Sequence, residues 1–196
     1  KYTYSDGSVY EGEFKNELFE GEGKMTLSNG SVYEGQFKND KMHGKVKMTY
    51  SNGSVKEGDY LYNKFKGIYV GERKNGLPDG QGKMTYDDYN VYEGEFKNGL
   101  PDGQGKMTYN SDNGVIHEGL WKNGLKNGKG KITYPYGSVD QGIWKNGLKN
   151  GSFIEIYTDK KYNKVEVNYI MNEMFGKGKY TSKDGKIDII NYFMSY

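Results

Sequence analysis

Cysteine and alanine are absent from this 196-residue chain, and proline occurs only three times. Without cysteine there is neither a disulfide nor a thiolate metal site. A chain with no alanine, rich instead in Gly, Tyr, Asn and Thr, is not mainly helical. No stretch approaches 18 apolar residues, the length a membrane-spanning helix needs. Arginine occurs once, as Arg73, and the 28 basic side chains stand against 26 acidic ones. Lysine and glutamate interleave along the whole length, so the clustered basic surface of a nucleic-acid binder is missing. Histidine occurs twice, as His43 and His117. That is too little for a histidine-based catalytic or metal constellation, and both sit at repeat positions where a structural role is expected. The carboxylates are spread one repeat apart rather than paired. No catalytic residue, cofactor site or metal site is expected.

What is present is glycine, 30 residues, and tyrosine, 20. Glycine at this level suggests collagen or disorder, but it does not fall at every third position. A mean hydropathy of −0.96 suits a disordered chain, yet 15% of the residues are aromatic, which disordered chains are not.

Self-comparison resolves the composition, because a fixed period dictates the architecture. Tyr10-Glu11-Gly12-Glu13-Phe14 recurs as Tyr33-Glu34-Gly35-Gln36-Phe37 and as Tyr92-Glu93-Gly94-Glu95-Phe96. Variants begin at Lys56, Tyr69, His117, Asp140, Val165 and Asp188, with spacings of 23, 23, 13, 23, 25, 23, 25 and 23. Gly80 to Tyr86 reappears as Gly103 to Tyr109 and, more loosely, as Gly128 to Tyr134. Lys1 to Val9 matches the tail of a unit and Asp188 to Tyr196 the head of one, so the chain reads as one array over 1–196, cut within a repeat at both ends and part of a longer protein.

Within a unit the period is 2, the signature of half-buried strands. Numbered from its leading tyrosine, positions 1, 3 and 5 read aromatic, glycine, aromatic, and positions 2 and 4 are mostly acidic. Positions 12, 14, 16 and 18 read Gly, Gly, Met or Ile, and Tyr, with Lys and Thr between. The glycines at 3, 12 and 14 are expected beside the rings, leaving room for them. A turn such as Asn98 to Asp102 joins the two strands, and Asn29-Gly30, Asn52-Gly53 or Asp184-Gly185 marks the next tight hairpin turn. Pro78, Pro101 and Pro135 are all placed in turns. The fold class is all-β: an elongated single-layer antiparallel sheet of tandem β-hairpins, roughly 23 residues each. The unit at Lys56 is ten residues short. Gly67 to Arg73 must therefore close one hairpin and open the next as one strand, with two strands deleted and the antiparallel order kept. Two residues are inserted near Asn110-Ser111-Asp112-Asn113, and units from Asp140 onward decay, as terminal capping repeats do.

Tyr-x-Gly-x-Phe/Trp followed by Gly-x-Gly, in this period and over nearly the whole chain, resembles the MORN repeat (membrane occupation and recognition nexus). The late units, ending in Gly176-Lys177-Gly178-Lys179-Tyr180, are similar to those of radial-spoke head members of that family. The resemblance implies a non-catalytic scaffold in a cytoskeletal or ciliary assembly, cytoplasmic and cytoskeleton- or cilium-associated, with other proteins as partners. An acidic-phospholipid adaptor and a regulatory module of a larger enzyme are the alternatives it carries.

The faces suggest where a partner sits. Tyr33, Phe37, Tyr60, Tyr69, Tyr92, Phe96, Trp121 and Trp144 form a row of rings that one sheet layer cannot cover. They are expected to line a groove for a helical or extended partner segment. On the opposite face, Leu120, Ile143, Ile154 and Ile156 stand where polar or charged residues otherwise do, a second apolar patch expected to be covered by a partner, a second copy or a folded-back terminal segment.

Overall fold

In a computed structural model describing residues 1–110, 112–158 and 161–193, the described residues hold strands, turns and no helix. They form two compact units, Lys1–Asp87 and Asp88–Tyr196. Ser111, at the expected insertion, and Met194 to Tyr196, closing the final partial repeat, lie outside the described residues. The first unit holds β1 (Tyr2–Thr3), β2 (Val9–Lys15), β3 (Leu18–Thr26), β4 (Val32–Lys38), β5 (Lys41–Thr49), β6 (Val55–Leu61), β7 (Lys64–Lys74) and β8 (Leu77–Thr85). The second holds β9 (Val91–Lys97), β10 (Leu100–Tyr109), β11 (Val115–Lys122), β12 (Leu125–Thr133), β13 (Val139–Lys145), β14 (Leu148–Ile156), β15 (Tyr162–Ile170), β16 (Glu173–Ser182) and β17 (Ile187–Tyr192). Within each unit every strand pairs antiparallel with its neighbour in sequence, so the expected all-β meander of tandem hairpins is what forms.

Alternation works as the period predicts. Tyr92 and Phe96 of β9 are both buried, and Glu93 between them is exposed. The Tyr92 hydroxyl donates to the carbonyl of Glu95 at 3.2 Å, and Tyr10 and Tyr69 make the same bond to Glu13 and Glu72 at 3.1 and 2.8 Å. Each ring thus lies flat over the strand beside it. Gly105 makes this possible, because a Cβ there would run into the Tyr92 ring. Its backbone is ordinary extended strand, so the clash alone decides. Gly105→Ala is expected to cost about 1–3 kcal/mol, the range for overfilling a packed site, read as a lowered midpoint in urea unfolding.

Several expectations are corrected. The position-12 glycines do not face the rings. Between Pro101↔Phe96 and Gly105↔Gly94, β10 carries three residues opposite Glu95 alone. This bulge takes Gly103 to a φ of +114° and turns its missing Cβ toward the Glu95 carboxylate. That carboxylate accepts the Gln104 N–H at 3.0 Å. A bulge shifts the alternation, so position 12 belongs to the ionic face while 3 and 14 stay with the rings.

Pro78 and Pro101 lie inside β8 and β10, not in turns; Pro135 does lie in a turn. The strand begins sooner than expected because Asn98-Gly99 alone makes the turn, with φ of 49° and 82°, a type I′ hairpin. At the proline position other units send the N–H to the next hairpin's turn, as Phe19 does to Asp40 at 2.7 Å, so proline there removes no bond from its own ladder. The Asn29-Gly30 type of turn is looser. Leu27 N donates to Ser31 O at 2.8 Å and Gly30 N to Leu27 O at 2.9 Å, a three-residue loop with only Gly30 at positive φ.

The short repeat gives β7 as one strand, as expected, but with one strand lost rather than two. Lys64 to Gly67 pair with β6, and Ile68 to Lys74 pair with β8. The strand changes neighbours at Gly67, and the chain turns a corner there. Arg73 clamps it: its guanidinium holds the buried Asp59 carboxylate through Nη1–Oδ1 at 2.5 Å and Nη2–Oδ2 at 3.1 Å. Asp59 also accepts the Tyr69 N–H at 3.0 Å. The sole arginine therefore stands where a strand is missing, and Arg suits the place because its fork grips both carboxylate oxygens.

Candidate functional site

Around the expected rings the ring face is filled by its own side chains, and a hollow remains on it at Lys149, beside Tyr134, Tyr136 and Met174. Of the eight rings expected to line an open groove, Phe37, Tyr60, Tyr69, Tyr92, Phe96, Trp121 and Trp144 are buried and Tyr33 is half-buried. In the second unit an edge-to-face series runs Phe96, Tyr92, Trp121, His117, Trp144, Phe153, Tyr169, with centroids 4.7–5.4 Å apart. Such contacts add to ordinary apolar burial, and they close the surface that was expected to be a groove. The departures from the repeat are compensated within this series. Phe153 takes the place of a glycine, but Asp140 stands where a large ring would be, and the Phe153 ring covers Gly142 instead.

Two groups on this face were not anticipated as sites. His117 is fully buried between Trp121 and Trp144, with neither ring nitrogen hydrogen-bonded among the described residues. Burial, and then the nearby Lys126 charge, hold its pKa down at about 3. The other is an ionic cluster. Lys149 bridges the buried Asp140, at 2.9 Å, and the buried Glu155. Tyr134 donates to Asp140 at 2.9 Å, and Tyr157 and Tyr169 each donate to Glu155 at 2.7 Å. Burial alone would push the Glu155 carboxyl up, but the Lys149, Tyr157 and Tyr169 donors outweigh it and hold it below the usual range. The sequence signal was there: Asp140, Glu155 and Lys149 occupy positions 1, 16 and 10, where the units at 10, 69 and 92 carry Tyr, Met and Phe or Pro.

The opposite face carries an ion ladder. In the first unit the cross-strand row is Glu11, Lys24, Glu34, Lys47, Glu57. Lys24 reaches Glu34 at 3.3 Å, and Lys45 reaches Glu57 at 2.7 Å. In the second unit the row runs Glu93, Lys106, Glu118, Lys131 and then breaks, continuing as Gln141 and Ile154 before Glu166 and Lys179. At the break lies a hollow lined by Gln104, Glu118, Lys129, Lys131, Gln141, Ile143, Ser152 and Ile154, with the main chain of Gly119, Gly130 and Gly142 as its floor. Leu120, Ile143, Ile154 and Ile156 are 37%, 41%, 40% and 44% exposed, on the face expected of them. Leu120 and Ile143 stand at position 4, where Glu13 and Glu95 stand in other units. They cover the bulge glycines Gly128 and Gly151 in the carboxylate's place.

Comparison with known proteins follows the same repeats. The MORN repeat model matches residues 10–32, 33–55, 69–91, 92–114, 117–139, 141–152 and 168–187. A sequence comparison with curated proteins finds no match. Among solved structures, the chain is similar to the TCP domain of SAS-4 (dCPAP) of Drosophila melanogaster, whose structure is titled as a complex with a proline-rich motif of Ana2 (dSTIL). That similarity has 16% identity and a TM-score of 0.36 over 97% of this chain and 88% of that one. A catalytically inactive virginiamycin B lyase from Staphylococcus aureus, in a structure with quinupristin, matches at 10% identity and a TM-score of 0.22, over 96% of this chain and 75% of that one.

Proposed function

The chain belongs to the MORN-repeat family, and from that premise we propose that it is a protein-interaction module whose partner sits on the ionic face of the second unit. One observation carries the reading: the ion ladder is interrupted by exposed aliphatic side chains around a hollow floored by main chain. Exposed aliphatics replacing charges across adjacent strands are the pattern of a covered surface. The ring face supports this seat from behind. Its side chains are engaged with one another, so the rings hold the strands in register rather than meet the partner. A cytoskeletal or ciliary assembly is the setting we propose for such a scaffold.

Ile143→Lys with Ile154→Lys tests the reading. Both side chains are exposed, so the double variant is expected to melt within a few degrees of the parent. A partner identified by affinity purification with the parent chain, and shown to bind it directly once purified, should lose at least tenfold in affinity for the variant, the effect of placing charges within an apolar contact. Equal binding to both chains would move the seat elsewhere. Labelling in cells should place the protein and that partner on the same cytoskeletal or ciliary structure.

A further inference from the structure

The charges beside the hollow say what its occupant carries. The first-unit lysines Lys1, Lys24 and Lys45 make ion pairs on this face, and in the second unit so does Lys179. Lys129 and Lys131 make none among the described residues, and both are exposed. In register Lys129 stands opposite Ile143, while Lys131 stands between Glu118 and Gln141. Both lie on β12, one on each side of Gly130, so they flank the floor of the hollow. Beyond them lie Ile143 and Ile154 on one side; on the other, β11 contributes Glu118 to the lining and carries Leu120, opposite Gln104, at its rim.

The dimensions select the shape of the occupant. The floor lies between two rows of side chains two residues apart along each strand, about 7 Å. An α-helix, about 10 Å across with its side chains, is too wide for it, whereas a single extended chain fits. The hollow crosses from β10 to β14, four strand spacings or about 19 Å, which an extended segment covers in about six residues.

Resting on the reading of this hollow as a docking seat, we propose that it takes an extended segment of a protein partner of the form apolar-x-acidic-x-apolar. The central carboxylate lies over β12 between the Lys129 and Lys131 ammonium groups. Side chains two residues to either side point the same way, and at about 6.6 Å from the centre they reach the aliphatics over β13–β14 and over β11. Charge complementarity chooses the central residue, and the period of an extended chain sets the spacing of the outer two.

The test uses three fluorescein-labelled heptapeptides, Ser-Leu-Ser-X-Ser-Leu-Ser, with Glu, Ser or Lys at X, in fluorescence anisotropy against the full chain at low salt. The Glu peptide should bind about tenfold tighter than the Ser peptide, since two exposed ion pairs are worth up to about 1 kcal/mol each. The Lys peptide should bind more weakly still. Lys129→Glu with Lys131→Glu should reverse that order, and Ile143→Ser, which removes the apolar contact without adding charge opposite Lys129, should weaken all three. If the three bind equally to the parent chain and Ile143→Ser still weakens them, the acidic assignment is wrong while the seat stands. If none binds at millimolar concentration, the seat and this inference fail together.

Discussion

Arg73→Ala should lower the unfolding free energy of the first unit by about 3 kcal/mol or more, the scale of breaking a buried pair from one side. Arg73 is partly exposed, but Asp59 is not, and among the described residues its carboxylate keeps only the Tyr69 N–H when the guanidinium is gone. Arg73→Lys should recover part of the loss, because an ammonium cannot grip both oxygens at once. Lys24→Ala, which removes an exposed pair, should cost under about 1 kcal/mol by comparison. Urea unfolding, followed by exchange of amide hydrogens within β6 and β7, separates these cases. Equal small losses from all three variants would show that the corner needs no clamp.

His117→Tyr should stabilise the second unit, and more so in acid. At neutral pH the histidine leaves a buried N–H and a buried lone pair unmatched, a cost of about 1–3 kcal/mol. A tyrosine there can place its hydroxyl over Gly130 and donate to the carbonyl of Leu120, as Tyr92 does over Gly105 to Glu95. The pH dependence follows from the lowered pKa. Between about 6.5 and 3 the unfolded chain takes up a proton that the folded one refuses, so stability is full above 6.5 and falls below it. The slope is about 1.4 kcal/mol per pH unit, or about 2 kcal/mol lost by pH 5. Thermal melts of parent and variant from pH 7.5 to 5 should diverge as pH falls. Parallel curves would show that His117 titrates freely in the folded state.

These predictions fall where the sequence and the structure part company, and the reasons are physical. The repeat, the strand alternation and the single strand through Gly67 to Arg73 are legible because each is a matter of period. The bulge at Gly103 is not, since a two-residue excess in one strand leaves the spacing between units unchanged while reversing which face a glycine serves. The aromatic face was legible as a face; its closure was not, because it depends on rings from successive units meeting edge to face at about 5 Å. Asp140, Lys149 and Glu155 look like decay when each is compared with the repeat by itself. Only their register shows one lysine shared by two buried carboxylates. The aliphatic patch could be read directly, because Leu120, Ile143 and Ile154 replace charged or polar residues, and Ile156 a threonine, at positions whose orientation the period already determines.

The central claim is that side chains alternate between a closed aromatic interior and an ionic face interrupted by the docking hollow. The absence of native cysteine makes a single-cysteine scan of β14 and β15 its most direct measurement. Thiols at Ser152, Ile154, Glu166 and Asn168 should react with a maleimide almost as fast as a free peptide thiol. Those at Val165 and Val167 should react only as the unit opens. Fast labelling at Val165 and Val167, or protection of Ile154 in the isolated chain, would contradict it.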